Sequence, residues 1–152
     1  MIDCTFKLNG KPMSTFVYGA TSFPAFSGKG DGINNRFSVC LPNQGPIPIG
    51  TYYIFDRQSS GLFGALRDLF NGRDQWFALY AIDGKIDDET YCKKVKRGQF
   101  RLHPKGPLGI SEGCITINTS NDYMYLRSML KSANTEIVAG IGLEAYGKVK
   151  VR

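Results

Sequence analysis

Alternation of apolar and polar residues along the chain predicts a protein built mainly from short β-strands. Two apolar runs, residues 2–8 and 13–18, flank Asn9-Gly10, a dipeptide typical of β-hairpins because both residues tolerate positive φ. Further strands are predicted where β-branched and aromatic residues cluster or where polarity alternates strictly: residues 36–41, 51–55, 75–82, 99–103 and 143–152. Eighteen glycines and seven prolines supply the turns between them.

Two segments have the 3.6-residue period of an amphipathic helix. The first begins at Ser59 or Ser60 and ends at Phe70, with apolar residues along one face. The second begins near Thr119, whose side chain can cap a helix, and ends at about Asn134. Small and polar residues dominate positions 19–35, which we interpret as either a loop that faces substrate or a long surface loop.

Composition places the chain among globular proteins, because 42% of its residues are hydrophobic and 21% are charged. A length of 152 residues is expected to form a single domain, residues 1–152, with a sizeable buried core. The many short strands then predict a mainly β fold, a curved sheet or β-sandwich with about two helices.

A net charge of +6 indicates an anionic partner or surface. The densest basic cluster is Lys93, Lys94, Lys96 and Arg97, which no recognition-helix or zinc pattern accompanies, so a solvated basic face is favoured over a nucleic-acid site. The sequence contains no run of about 18 consecutive apolar residues, the length that a membrane-spanning helix needs, so membrane insertion is not expected. The first residues lack the apolar core of a signal peptide, so the sequence predicts synthesis in the cytoplasm and export by another route, or a leader already removed.

The residue types that carry chemistry are concentrated in residues 101–117. His103 is the only histidine, and ten residues separate it from Cys114, the last of four cysteines. A cysteine activated by an imidazole attacks acyl carbons, with the thiol as nucleophile and the histidine as general base. The second imidazole nitrogen needs an acceptor, either a loop carbonyl or the hydroxyl of Ser111. The amides of Gly113 and Cys114 could then stabilise an oxyanion.

The order of these residues resembles the active-site motif of L,D-transpeptidases: a strand that ends in histidine, a Pro/Gly loop, and Ser-x-Gly-Cys where the next strand begins. Glu112 departs from the motif, because most members have a second histidine there. On a short basic chain without a signal peptide, this version resembles the L,D-transpeptidase effectors of type VI secretion systems. Residues 45–52 are similar to the Pro-x-Gly-x-Tyr/Phe segment of the same fold, and residues 22–35 also look like these effectors.

The resemblance implies a reaction on the tetrapeptide stems of peptidoglycan. Cys114 would release the terminal D-alanine and form a thioester; water as acceptor gives L,D-carboxypeptidase activity, and an amine gives transpeptidation or D-amino-acid exchange. Arg101 shares a strand face with the predicted base and could hold a substrate carboxylate. Ser27 and Gly28 are expected to contact substrate. Glu112 could orient the substrate amine, but its charge would raise the thiol pKa, so we expect its side chain to point away.

An effector of this kind would be secreted and would act in the periplasm of a target bacterium. Its implied partners are stem peptides, components of the secretion apparatus and a cognate immunity protein. No cofactor or metal is expected. The acidic trio Asp87, Asp88 and Glu89 is interpreted as a solvated turn, and the sequence lacks the paired Cys-x-x-Cys motifs of a structural zinc site.

If Cys114 is the nucleophile, Cys4, Cys40 and Cys92 permit at most one disulfide among them, in any of three pairings. Two other classes of protein remain open. A cysteine amidase or peptidase of another fold would use the same residue types, although papain-like enzymes place the cysteine well before the histidine. A non-catalytic basic module that binds glycan or nucleic acid predicts that Cys114 is buried or disulfide-bonded.

Overall fold

A closed, mostly antiparallel sheet forms the body of the protein in the computed structural model, which describes residues 1–58, 69 and 71–152. The strands are β1 (Ile2–Phe6), β2 (Ser14–Tyr18), β3 (Thr21–Phe26), β4 (Gly50–Asp56), β5 (Phe77–Ala81), β6 (Glu89–Cys92), β7 (Val95–Gly98), β8 (Arg101–Pro104), β9 (Ile115–Ile117), β10 (Glu136–Ile137) and β11 (Glu144–Val151). One α-helix has both of its ends within the described residues, α1 (Ser120–Lys131). The protein is therefore mainly β, as the sequence predicts.

Strand order explains how the sheet closes. Neighbours follow the order β1-β2-β3-β9-β8-β5-β4-β11, and β11 pairs in turn with β1. The short strand β10 extends the pairing along β11, whereas β6 and β7 form a separate two-stranded hairpin. Two pairs, β1 with β11 and β8 with β9, are parallel, and the other neighbours in the sheet are antiparallel.

The core is filled by side chains from alternate positions of the strands, together with one face of the helix. Phe16, Ile54 and Leu102 are among the fully buried strand residues. The buried residues of α1, Tyr123, Leu126 and Leu130, recur at helical spacing, and the helix packs on β8, β9 and β11. No helix in the described part of the chain has the length and apolar character needed to cross a membrane.

Several sequence predictions are confirmed by these elements. The first hairpin is β1–β2, the strands predicted at 51–55, 75–82, 99–103 and 143–152 correspond to β4, β5, β8 and β11, and the second helix is α1. Thr119 is its N-cap, with a side-chain oxygen that accepts a hydrogen bond from the backbone N–H of Asp122. The helix predicted to begin at Ser59 or Ser60 and to end at Phe70 falls, except for residue 69, outside the described residues.

Two predictions are wrong. The segment 19–35 contains the strand β3, because β2 and β9 pair with it on both sides despite its small and polar flanks. Residues 36–41 form successive turns instead of a strand. Asn35 begins them: its side chain accepts from Phe37 N at 3.0 Å and its carbonyl accepts from Ser38 N at 3.0 Å. These local hydrogen bonds replace the backbone hydrogen bonds to a neighbouring strand that a β-strand would need.

One disulfide, between Cys40 and Cys92, joins the turn segment 36–46 to the β6–β7 hairpin. Cys4 is free and buried in the core, and Cys114 is free and partly exposed. The sequence left three pairings open, because the spacings alone do not show which cysteines lie close together.

Replacing both Cys40 and Cys92 with serine is expected to lower the free energy of unfolding by about 4 kcal/mol, because the bond spans 52 residues and cross-linking restricts the unfolded chain. Urea unfolding of the oxidised wild type and of the double variant measures the difference. The wild type reduced with dithiothreitol is the control and should match the variant. An unchanged midpoint after reduction would show that the disulfide adds no stability.

Candidate active site

Adjacent parallel strands bring the predicted nucleophile and base to one side of the sheet. In the register of β8 and β9, Leu102 lies opposite Ile115, and both are fully buried in the core. Because side chains alternate along a strand, we infer that His103, on β8, and Cys114, immediately before β9, face the opposite side. They form a diagonal pair, with Cα atoms on the order of 8 Å apart at ordinary strand spacing. An imidazole and a thiol can meet across that separation.

His103 is held in one tautomer by the strand that carries it. Its Nδ1 lies 2.7 Å from the carbonyl oxygen of Pro104, so Nδ1 donates a proton and Nε2 keeps its lone pair. The ring is 8% exposed and stacks on Trp76, with centroids 4.3 Å apart. Burial lowers the pKa of His103, and the nearby Arg73 and Arg57 lower it further, against the effect of the Pro104 carbonyl. The imidazole is therefore neutral at pH 7 and able to accept a proton.

The Cys114 thiol is also expected to be protonated at pH 7. Burial raises its pKa, which a hydrogen bond from the Arg101 backbone N–H and the positive charges of Arg101 and Arg57 partly oppose. Sγ lies 3.9 Å from the carbonyl oxygen of Gln99, a residue in the left-handed region with φ of 56°. Within the described part of the chain no hydrogen bond joins Cys114 to His103. Proton transfer therefore requires the thiol to turn away from Gln99.

Only glycine fits immediately before the cysteine. Gly113 has φ of 117°, in the region that favours glycine. A Cβ at this position would lie 2.7 Å from Nη2 of Arg97 and 3.0 Å from the ring of Phe100. The arginine and the phenylalanine therefore form a support beneath the turn that presents Cys114.

Arg97 is buried, at 4% exposure, and binds the turn segment through its guanidinium. It donates to three backbone carbonyls, those of Val39, Gly45 at 3.1 Å and Pro46 at 3.3 Å. The prediction that this arginine belongs to a solvated basic face is wrong, although the three lysines of that cluster are exposed. Its position on β7 directs it inward, and the carbonyls satisfy its hydrogen-bonding groups.

Ser27 and Gly28 belong to the scaffold behind the nucleophile. The Ser27 hydroxyl is 0% exposed; it accepts from Ile47 N at 2.8 Å and donates to the carbonyl of Gly113 at 3.3 Å. Gly28 is buried, and a Cβ there would lie 2.7 Å from the carbonyl oxygen of Gly32. Both residues are buried and belong to the segment that contacts the backbone of the Cys114 turn, and substrate contact at these positions stays a prediction.

Ser111 also acts on the backbone of this turn. Its hydroxyl donates to the carbonyl of Cys114 at 2.7 Å and accepts from the backbone N–H of Gly28 at 3.4 Å. Of the two predicted acceptors for the histidine, the loop carbonyl is the one used, and Ser111 is not. Residues 22–35, 45–52 and 101–117, the segments that resemble L,D-transpeptidase effectors, thus meet around Cys114.

The guanidinium of Arg101 is already paired. It makes a bidentate ion pair with Asp88, at 2.7 and 2.6 Å, and donates to the carbonyl of Phe100 at 2.8 Å. Asp88 is therefore more than part of a solvated turn. A substrate carboxylate at Arg101 would therefore have to compete with the carboxylate of Asp88.

A cleft of about 760 Å³ opens beside the imidazole. Arg73, Trp76 and His103 line one part of it, and the loop 104–112 lines another. The carboxylate of Glu112, at its edge, binds the ammonium group of Lys29 at 3.1 Å. In the described residues no three His, Cys, Asp or Glu side chains converge as ligands for a metal ion.

The sequence interpretation missed Trp76, Arg73 and Arg97. Trp76 is the only tryptophan in the chain, and its place within the predicted strand 75–82 was the one available indication. No local pattern distinguishes the two arginines from the other basic residues, because their roles depend on contacts with distant segments.

A mainly β domain with a free cysteine and, beside a cleft, a neutral histidine defines a class of candidate cysteine enzymes. Residues 21–141 match the family model described as the Tlde1 domain, and the chain belongs to that family of type VI secretion L,D-transpeptidase effectors. The predicted family resemblance is thereby confirmed. Membership makes the protein an antibacterial effector that modifies peptidoglycan. No curated protein and no solved structure matches the chain.

Proposed function

We propose that this protein is a cysteine-dependent L,D-carboxypeptidase and L,D-transpeptidase that acts on tetrapeptide stems, with Cys114 as nucleophile and His103 as base. One observation carries the proposal. His103 donates from Nδ1 to the Pro104 carbonyl, which leaves Nε2 free to accept the proton of Cys114, the residue that immediately precedes the neighbouring strand β9.

The reaction begins with attack by Sγ of Cys114 on the carbonyl carbon that precedes the terminal D-alanine, while the thiol proton passes to Nε2 of His103. The amides of Gly113 and Cys114 donate to the oxyanion. When the tetrahedral intermediate collapses, the C–N bond breaks and His103 returns the proton to the leaving amine. D-alanine departs, and the tripeptide remains on Cys114 as a thioester.

The acceptor decides the product. Water attacks the thioester to release a tripeptide stem, and His103 again removes the proton of the nucleophile. The amine of another D-amino acid or of a neighbouring stem gives exchange or a new cross-link. Hydrolysis and cross-linking consume tetrapeptide stems, and exchange replaces their terminal D-alanine, so each product lowers the supply of stems that end in D-alanine in the periplasm of the target bacterium. A cognate immunity protein in the producing cell would protect against the same loss.

The proposal is tested by incubating the purified protein with disaccharide-tetrapeptide, with and without a second D-amino acid. We expect mass spectrometry to show loss of D-alanine or its exchange, and acid-quenched protein to carry a tripeptidyl adduct on the tryptic peptide that contains Cys114. Intact tetrapeptide in the presence of folded, reduced protein would overturn the proposal.

The structure supplies a control that needs no substitution. Cys40 and Cys92 are disulfide-bonded and Cys4 is buried, so brief alkylation should modify Cys114 among the four cysteines. The alkylated protein is expected to leave the tetrapeptide intact. Turnover by protein that is fully alkylated at Cys114 would exclude the thioester and favour a different nucleophile.

A further inference from the structure

Three other groups lie against the indole of Trp76, which lines the cleft. His103 stacks on it at 4.3 Å, with the rings 20° apart, and the guanidinium carbons of Arg73 and Arg57 lie 5.4 and 5.5 Å from its centroid. The predicted base and two positive charges therefore share one rigid platform, and a cation over an indole face is itself a favourable contact.

Arg73 is the guanidinium that is available to a ligand. It is exposed, lines the cleft together with His103, and follows Gly72, whose left-handed conformation begins the short 3-10 turn Arg73–Gln75. Its contact within the described part of the chain is the ring of Trp76, with no hydrogen bond or ion pair to a carboxylate. Arg101, in contrast, is occupied by Asp88.

We infer that Arg73 binds the terminal carboxylate of the stem peptide, on the residue that the reaction releases. The inference rests on the proposed function and names the group that selects its substrate. A guanidinium forms paired hydrogen bonds with a carboxylate, and this geometry recognises a free chain end in preference to an internal residue. Arg73 therefore makes the enzyme act on the last residue of the stem.

The separation between Arg73 and the base fits that role. The ring distances place the guanidinium within about 10 Å of the imidazole, and a leaving residue of about 3.5 Å with a hydrogen bond at each end spans such a gap. A substrate whose departing amine faces Nε2 of His103 therefore presents its carboxylate toward Arg73. An amide at the chain end would forfeit both the charge and one acceptor oxygen.

Binding to the Cys114→Ala protein tests the inference without turnover. Calorimetry compares disaccharide-tetrapeptide with its C-terminal amide, in the Cys114→Ala background and with Arg73→Gln added. We expect the free acid to bind about 10- to 100-fold more tightly than the amide, and the added substitution to reduce this preference to less than about 3-fold. Arg73→Lys keeps the positive charge but loses the paired N–H donors of the guanidinium, so it should give an intermediate preference for the free acid.

Arg36→Gln is the matched control, because Arg36 is an exposed arginine outside the residues that line this cleft. It should keep the full preference for the acid. Equal binding of acid and amide, or a preference that survives Arg73→Gln, would overturn the inference and leave the reaction standing. Absence of binding by either ligand to folded protein would overturn the proposed reaction, and this inference with it.

Discussion

Replacing Cys114 with alanine is expected to abolish release of D-alanine, and replacing His103 with glutamine to lower kcat/KM by about 10³-fold. Alanine removes the atom that forms the thioester. Glutamine can still donate to the Pro104 carbonyl and pack against Trp76, but it cannot take the thiol proton. Steady-state rates on disaccharide-tetrapeptide measure both effects, with circular dichroism to verify folding.

The pH dependence separates a base from a residue that only packs. Burial lowers the pKa of His103 below its ordinary 6.5 and raises that of Cys114 above its ordinary 9.0. Activity of the wild type should therefore fall only as the pH drops through a value below 6.5, where the imidazole becomes protonated, and should stay level above it until the thiol ionises.

In the His103→Gln protein, the fall in activity that protonation of the imidazole causes at low pH should disappear. Residual activity should instead rise with pH toward the raised thiol pKa, because only the spontaneously formed thiolate can attack. A variant that keeps more than about a tenth of the wild-type rate, with an unchanged profile, would remove His103 from the mechanism.

Replacing Arg97 with methionine is expected to lower the free energy of unfolding by about 3 kcal/mol, because three backbone carbonyls lose their buried donor. The same change removes the support beneath Gly113, so activity should fall as well. Urea unfolding and the tetrapeptide assay, carried out at a temperature where the variant is fully folded, measure the two effects separately.

Lys96→Met is the matched control for that substitution. Lys96 precedes Arg97 on β7, is exposed and pairs with Glu89 on the surface, so its loss should change neither stability nor activity appreciably. If Arg97→Met changed stability and activity as little as Lys96→Met, Arg97 would not support the site.

The two strands beside the candidate site could be predicted from the sequence because their signals lie in a short local stretch. A lone histidine, a turn-rich loop and Ser-x-Gly-Cys specify two strands and the connection between them, and β8 and β9 lie where this pattern puts them. The strongly alternating strand β11 and the capped helix α1 were predictable for the same reason: their patterns are regular over several turns or residue pairs.

The rest depends on contacts between distant residues, which a single sequence does not reveal. In the sequence, Arg97 cannot be distinguished from the exposed lysines beside it. Only the fold shows that it is buried and donates to the carbonyls of Gly45 and Pro46. Ser27 lies in a segment that is typical of surface loops, yet it connects Ile47 to Gly113 in the interior. The residues of β3 alternate only weakly between apolar and polar. They form a strand because β2 and β9 pair with them on both sides.

Closure of the sheet has a consequence for the order in which the protein folds. Its last link is the parallel pairing of β1 with β11, in which Cys4 lies opposite Val149, so the contact joins residues from the two extremes of this sequence. Such non-local pairings slow folding, since a long loop must close before they form. Until β11 has been synthesised, β1 and β4 each have an unpaired edge, which is open to aggregation. The nascent sheet therefore stays open, and in need of protection, until β11 emerges.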